Sequence, residues 1–204
     1  MNDLARRLIG LLVAVALAAG VLTLSWPRLA CTRQTANNVP AGELTAGRFI
    51  GQTFRAPFSR LYRVDVLLAT YARQNEGPVL LHVSTGPGEE ALVTQGFEAA
   101  DVQDNAFRRF QFPPVDSAAG QELYFSFEAP ATTPGNAVTV WQTDFDAYPG
   151  GQAVLDGTAT GGDLTFVACY RSSPGEVWRA TLDTVRAQNA LLWQARWLVG
   201  GIGL

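Results

Sequence analysis

Residues 60–70 read RLYRVDVLLAT, the strongest strand pattern in the chain. At period two, Tyr62, Val64, Val66 and Leu68 fall on one face, and Leu61, Arg63, Asp65, Leu67 and Ala69 on the other. β-Branched and aromatic residues in this rhythm suit a pleated surface half buried in a core. Upstream, 48–56 (RFIGQTFRA) repeats the pattern and stops at Pro57. Downstream, 79–84 follows the turn Asn75-Glu76-Gly77-Pro78, and Val79, Leu81 and Val83 share a face with His82 opposite. A short strand at 91–94, then 106–112 (AFRRFQF), 121–129 (QELYFSFEA), 137–143 (AVTVWQT), a small hairpin around 153–155 and 164–170 (LTFVACY) complete the series.

Strand-sized runs recur every 10 to 15 residues with no helical period between them. This spacing predicts an all-β fold, an antiparallel β-sandwich of jelly-roll type. A parallel α/β sheet is excluded because no connection is long and helical enough for a crossover. The 20 Gly and 11 Pro lie mostly between apolar runs, where turns are needed.

Four segments carry a resemblance: GQTFRAP (51–57), LYRVDVLLATYARQNEGPVLLHV (61–83), FRRFQFPPVDSAAGQELYFSFEAP (107–130) and GNAVTVW (135–141). In this order they resemble an extracytoplasmic sandwich module found in bacterial membrane proteins of the glycosyltransferase and polysaccharide-assembly kind. The resemblance implies a non-catalytic module outside the membrane, working beside a polytopic membrane protein. This chain lacks the many spans of the larger proteins in that group.

Both ends are apolar. Residues 8–26 (LIGLLVAVALAAGVLTLSW) run for 19 positions without a charge, close to the hydrocarbon thickness of a bilayer as a helix. Arg6 and Arg7 precede the run, Trp26 sits at the interfacial position and Pro27 ends it. We expect a transmembrane signal anchor over 1–30, a polar spacer or irregular first strand over 31–47, the sandwich over 48–171 and a C-terminal amphipathic helix over 172–204. A cleaved signal and a lipoprotein site at Cys31 are the rival readings. Arg28 and Arg33 nearly balance Arg6 and Arg7, so orientation rests on the N-terminal amine and on the kind of domain that follows. Both place the body on the extracytoplasmic side of a bacterial cytoplasmic membrane, in a single-pass topology. In the tail, Ser173 is the expected N-cap. Residues 191–204 (LLWQARWLVGGIGL) are too short and interrupted for a span, and suit an interfacial or partner-docking helix, against the plainer reading of a helix packed on the sandwich. Trp26, Trp178, Trp193 and Trp197 are the expected membrane or partner contacts.

Chemistry-bearing residues are sparse. One His and two Cys far apart leave no material for a zinc site, and no cofactor motif occurs. The net charge of -3 does not suit nucleic acid. All 15 basic residues are Arg, which we attribute to genomic base composition. His82 has no nucleophile motif around it and reads as structural. Asp101, Asp104, Asn105 and Asp116 match no calcium loop and read as turn residues. Glu122 and Glu128 lie about 20 Å apart on one strand face, too far for a glycosidase pair. Trp141, Phe145 and Tyr148 crowd one strand end and its loop, with Gln142, Asp144 and Asp146 beside them. They form a candidate sugar-stacking site, against the plainer reading that Trp141 and Phe145 fill the sandwich edge. Cys31 and Cys169 are a candidate disulfide, because first and last strands of a jelly roll end near one pole. A buried Cys169 with a free or lipidated Cys31 is the other reading.

Two function classes follow. The first is a non-catalytic, membrane-anchored accessory subunit of a larger assembly. The second is a carbohydrate-binding module that holds envelope glycan near a membrane enzyme. A hydrolase is disfavoured for want of a nucleophile–base or paired-carboxylate arrangement.

Overall fold

The computed structural model describes residues 11–13, 15, 20, 28–115, 119–173, 175–179, 182 and 186. Its body, Ala30–Arg171, is one compact unit. The body is a β-sandwich of two antiparallel sheets. The strands, in chain order, are β1 (Arg28–Gln34), β2 (Val39–Pro40), β3 (Phe49–Arg55), β4 (Leu61–Ala69), β5 (Pro78–Ser84), β6 (Val93–Glu98) and β7 (Ala106–Val115). They continue with β8 (Glu122–Glu128), β9 (Thr139–Thr143), β10 (Ala153–Leu155), β11 (Thr158–Ala159), β12 (Asp163–Leu164) and β13 (Phe166–Ser172). One sheet runs β1-β13-β4-β9-β12, with β7 also on β4 and β2 also on β9; the other runs β11-β10-β3-β8-β5-β6. The chain changes sheet at most connections, so neighbours in a sheet come from distant stretches of sequence.

β4 is the hub of its sheet, flanked by β7 on one side and by β13 and β9 on the other. The inward set differs from strict alternation. Leu61, Val64, Val66 and Leu68 join the core cluster, while Tyr62 does not. The register on β13 skips Tyr62, with Cys169 opposite Arg63 and Tyr170 opposite Leu61. The extra residue of this β-bulge turns Leu61 inward and sends Tyr62 to the other face, where the Arg171 guanidinium lies over its ring, 5.1 Å from the centroid. On the outer face Asp65 faces Arg63 at 3.2 Å and Arg109 at 3.7 Å. Burial pushes the Asp65 carboxyl up, and the two guanidinium groups pull against it.

Rings fill the space between the sheets. Phe54, Phe125 and Phe166 sit at centroid separations of 5.9, 5.7 and 5.5 Å, tilted or edge-on to one another. Phe110 and Phe127 continue the stack at 5.6 Å. Burying one such side chain contributes about 1.5–3 kcal/mol.

Residues 31–47 belong to the sandwich rather than standing outside it. β1 and β2 lie in the first sheet, and Asn38 and Ala41 donate their backbone N–H groups to Gln142 and Val140 at 3.0 and 2.8 Å. β7 runs through Pro113 and Pro114 to Val115, longer than the sequence suggests. Proline fits there because, among the described residues, β7 pairs only with β4 and leaves its other edge free of ladder bonds.

Outside the body, residues 175–179 are helical. Glu176 donates its N–H to Ser173 Oγ at 3.3 Å, and Ser173 donates its N–H to the Glu176 carboxylate at 2.8 Å. This reciprocal pair is a capping box, with Ser173 as the N-cap. Among the described residues no helix is long and apolar enough to cross a membrane. Most of the expected anchor over 8–26, with Trp26, and the tail containing Trp193 and Trp197 lie outside the described residues. Trp178 is described, and is 66% exposed.

Candidate functional site

The cluster expected around Trp141 separates into three places. Trp141 donates its indole N–H to Asn105 Oδ1 at 2.7 Å and lines a recess of about 270 Å³ with Pro40, Tyr71 and Asp104. Three residues with left-handed backbone meet there: Tyr71 (φ 56), Ala72 (φ 55) and Asn105 (φ 54). Asn tolerates this conformation; Tyr and Ala adopt it at a cost of order 1–3 kcal/mol each. Asp104 Oδ1 accepts the Thr70 N–H at 2.6 Å, a bond that holds the Asp104 carboxyl below the ordinary range. Asp101 lies in the 3-10 turn Ala99–Asp101, and Asp116 lies outside the described residues.

Asp144 and Asn38 clasp each other, Asn38 Nδ2 donating to Asp144 Oδ1 at 2.7 Å and Asp144 N donating to Asn38 Oδ1 at 3.1 Å. Gln142 sits half-buried on β9, and its Oε1 accepts no hydrogen bond from the described residues. Phe145 and Asp146 are exposed in the following loop. Tyr148 goes elsewhere. Its ring packs edge-on against Phe166 at 5.5 Å and its hydroxyl donates to the Arg55 carbonyl at 3.2 Å. Buried Asp163 organises this loop by accepting the N–H groups of Ala147 and Tyr148 at 2.8 and 2.9 Å. Tyr148 is therefore part of the packing, and the six residues share no single surface.

A larger concavity lies over the outer face of the second sheet. Two adjoining hollows of about 660 and 330 Å³ share Pro87 and Gly157 as walls. Register sets the floor in rows across the strands. Phe49 pairs with Glu128 and Glu128 with Leu80; Gly51 pairs with Ser126, Ser126 with His82, and His82 with Thr94. Thr53 then pairs with Tyr124 and Tyr124 with Ser84, and Arg55 with Glu122. From Phe49 to Arg55 the rows extend about 20 Å along the strands.

Two glycine contacts shape this face. The Tyr124 ring lies directly on Gly51, where any Cβ would collide with it. Gly151 presses its backbone onto the Thr53 carbonyl with no room for a side chain, and that contact brings the 149–152 loop down as a wall. Tyr124 and Ser126 are buried beneath the walls, and burial pushes the Tyr124 hydroxyl pKa up. Phe49 stays 41% exposed at one end.

His82 sits in the middle row. Its Nε2 lies 3.1 Å from Glu128 Oε1 and its Nδ1 2.9 Å from Thr94 Oγ1. Which nitrogen donates in these two contacts is set by the ring's tautomer. Both ring nitrogens are engaged, which fixes the orientation of the imidazole on the floor. Sequence alternation places Tyr124, Ser126 and Glu128 on one face. The pairing of β8 between β3 and β5, which turns that face into a floor, carries no local signal.

At the other sheet's edge, Cys31 and Cys169 are joined in a disulfide with Sγ–Sγ 2.08 Å. Arg63 Nη2 donates to Cys169 Sγ at 3.2 Å.

No family model matches the chain, and no curated protein matches it. Among solved structures it is similar to a ruminal GH26 endo-β-1,4-mannanase, at 8% identity and a TM-score of 0.32, over 72% of this chain and 26% of that one. It is also similar to a structure of infectious bursal disease virus Gx strain, at 12% identity and a TM-score of 0.20, over 72% of this chain and 34% of that one. The chain thus spans about a quarter and a third of these two, and at such scores the likeness carries no functional argument.

Proposed function

We propose that this protein is a non-catalytic accessory module held at the extracytoplasmic face of a membrane, where its sandwich serves a larger membrane assembly. The Cys31–Cys169 disulfide carries the reading. Disulfides persist in oxidising compartments and are rare in the cytosol. Cys31 follows the apolar run at 8–26 by only a few residues, so the bond ties the sandwich's last strand to the chain just outside the expected anchor. A single signal anchor with a cytoplasmic N-terminus satisfies both the apolar run and the oxidised pair.

The resemblance to extracytoplasmic modules of polysaccharide-assembly proteins supports the same placement, as does the jelly-roll-like habit of changing sheets at most connections. Exposed Trp178, early in the tail helix, supports a contact with the membrane interface or with a polytopic partner. Trp26, Trp193 and Trp197 extend that proposed contact.

Purification of the full-length chain in mild detergent tests the proposal. The expected result is a stoichiometric polytopic protein that stays with the chain and is lost when 176–204 are deleted. A chain that leaves the membrane in a carbonate wash and purifies alone would overturn it.

A further inference from the structure

We propose that the groove over the outer face of the six-stranded sheet binds an uncharged glycan chain, lying along the strands from Phe49 towards Arg55. This goes beyond the membrane-module reading and does not depend on it.

The occupant follows from what the groove offers. Its floor is the face of a sheet whose central strands, β3, β8 and β5, are paired on both edges. A peptide strand would need free backbone N–H and C=O groups on a sheet edge, and none face upward here. The floor is lined instead by the hydroxyl-bearing Thr53, Ser84, Tyr124 and Ser126, with the fixed imidazole of His82 between them; Thr53 and Ser84 already donate to the Gln152 and Gly86 carbonyls, so their oxygens face a ligand as acceptors. Oxygens with lone pairs left to accept suit a ligand whose own rim is hydroxyl donors.

Phe49 supplies the complementary element, an exposed aromatic face at the mouth of the smaller hollow. A pyranose ring has an apolar C–H face that can lie on such a ring while its hydroxyls reach the floor. A floor about 20 Å long suits an extended chain over a single sugar.

Charge narrows the class. Glu89 and Glu122 line the two hollows and Glu128 anchors His82, against Arg55 as the basic residue of the lining. Nucleic acid or a uronate polymer would meet more negative than positive charge there, at a cost in affinity. A neutral hexose polymer meets none.

The test uses affinity electrophoresis and calorimetry on the full-length chain in mild detergent, with galactomannan, xyloglucan and dextran as neutral probes and polygalacturonate as the anionic one. Binding to at least one neutral probe, weakened roughly tenfold by Phe49→Ala and also by His82→Gln, is expected. Trp141→Ala, at the separate recess, should leave it unchanged. Both Phe49 and Trp141 are partly exposed, so each variant is checked for an unaltered melting temperature. No binding to any neutral probe at millimolar repeat units, a preference for polygalacturonate, or loss of binding in Trp141→Ala with retention in Phe49→Ala would each overturn the proposal. None of these results bears on whether a membrane partner co-purifies.

Discussion

Cys31 and Cys169 lie 4.1 Å apart, Cα to Cα, and are covalently joined across 138 positions of sequence. The bond fastens β1 to β13 and closes nearly the whole sandwich into one loop. Closing a loop of this length restricts the unfolded chain and stabilises the fold by about 4 kcal/mol in the loop-entropy account. Paired replacement Cys31→Ser and Cys169→Ser should therefore lower the unfolding free energy by roughly 2–4 kcal/mol, measured by denaturant titration, while leaving the far-UV β signature intact. An unchanged midpoint would show that β1 is held by its ladder alone.

A second expectation concerns Glu43. Its carboxylate accepts from Arg73 Nη2 at 2.6 Å and from the Gly135 N–H at 3.1 Å, and these bonds hold its pKa below the ordinary value. A depressed carboxyl pKa contributes stability that is present above the unfolded pKa and lost as pH falls through the folded one. Glu43→Gln should thus cost up to about 1 kcal/mol at pH 7, because the pair is partly exposed. The gap between wild type and variant should close as pH drops below about 4. Thermal melts across pH 3 to 7 read this directly, and a gap that widens in acid would contradict it.

A third expectation concerns the groove floor. Gly51→Ala places a methyl group inside the Tyr124 ring and should destabilise the fold by about 1–3 kcal/mol. Adding Tyr124→Ala should recover part of that loss, giving a coupling of about 0.5 kcal/mol or more in the double-mutant cycle. Additive effects would mean the ring swings clear at no cost.

Much of the architecture was legible in local pattern. The two-residue rhythm of 60–70 marks β4, that of 121–129 marks β8, and the hairpin around 153–155 is β10 with β11. What escaped depends on long-range pairing. The bulge between Leu61 and Arg63 exchanges the faces of Leu61 and Tyr62, because β7 and β13 hold that end of β4 in different registers. β1 lies in a stretch rich in polar residues, and it becomes a strand because β13 and Cys169 are there to receive it.

The candidate site shows the same limit. Trp141, Phe145 and Tyr148 are close in sequence, yet Tyr148 turns onto Phe166 once Asp163, 15 positions away, captures its backbone N–H. Phe49, His82, Tyr124 and Ser126 look unrelated along the chain. They meet only because β8 inserts between β3 and β5.

The most direct test of the membrane-module account is non-reducing peptide mapping of the full-length chain, from cells quenched with an alkylating agent before lysis. An extracytoplasmic sandwich predicts a Cys31–Cys169 linked peptide as the dominant species, with an uncleaved N-terminus on the same molecules. Two alkylated, unlinked cysteines would contradict it and place the body in a reducing compartment.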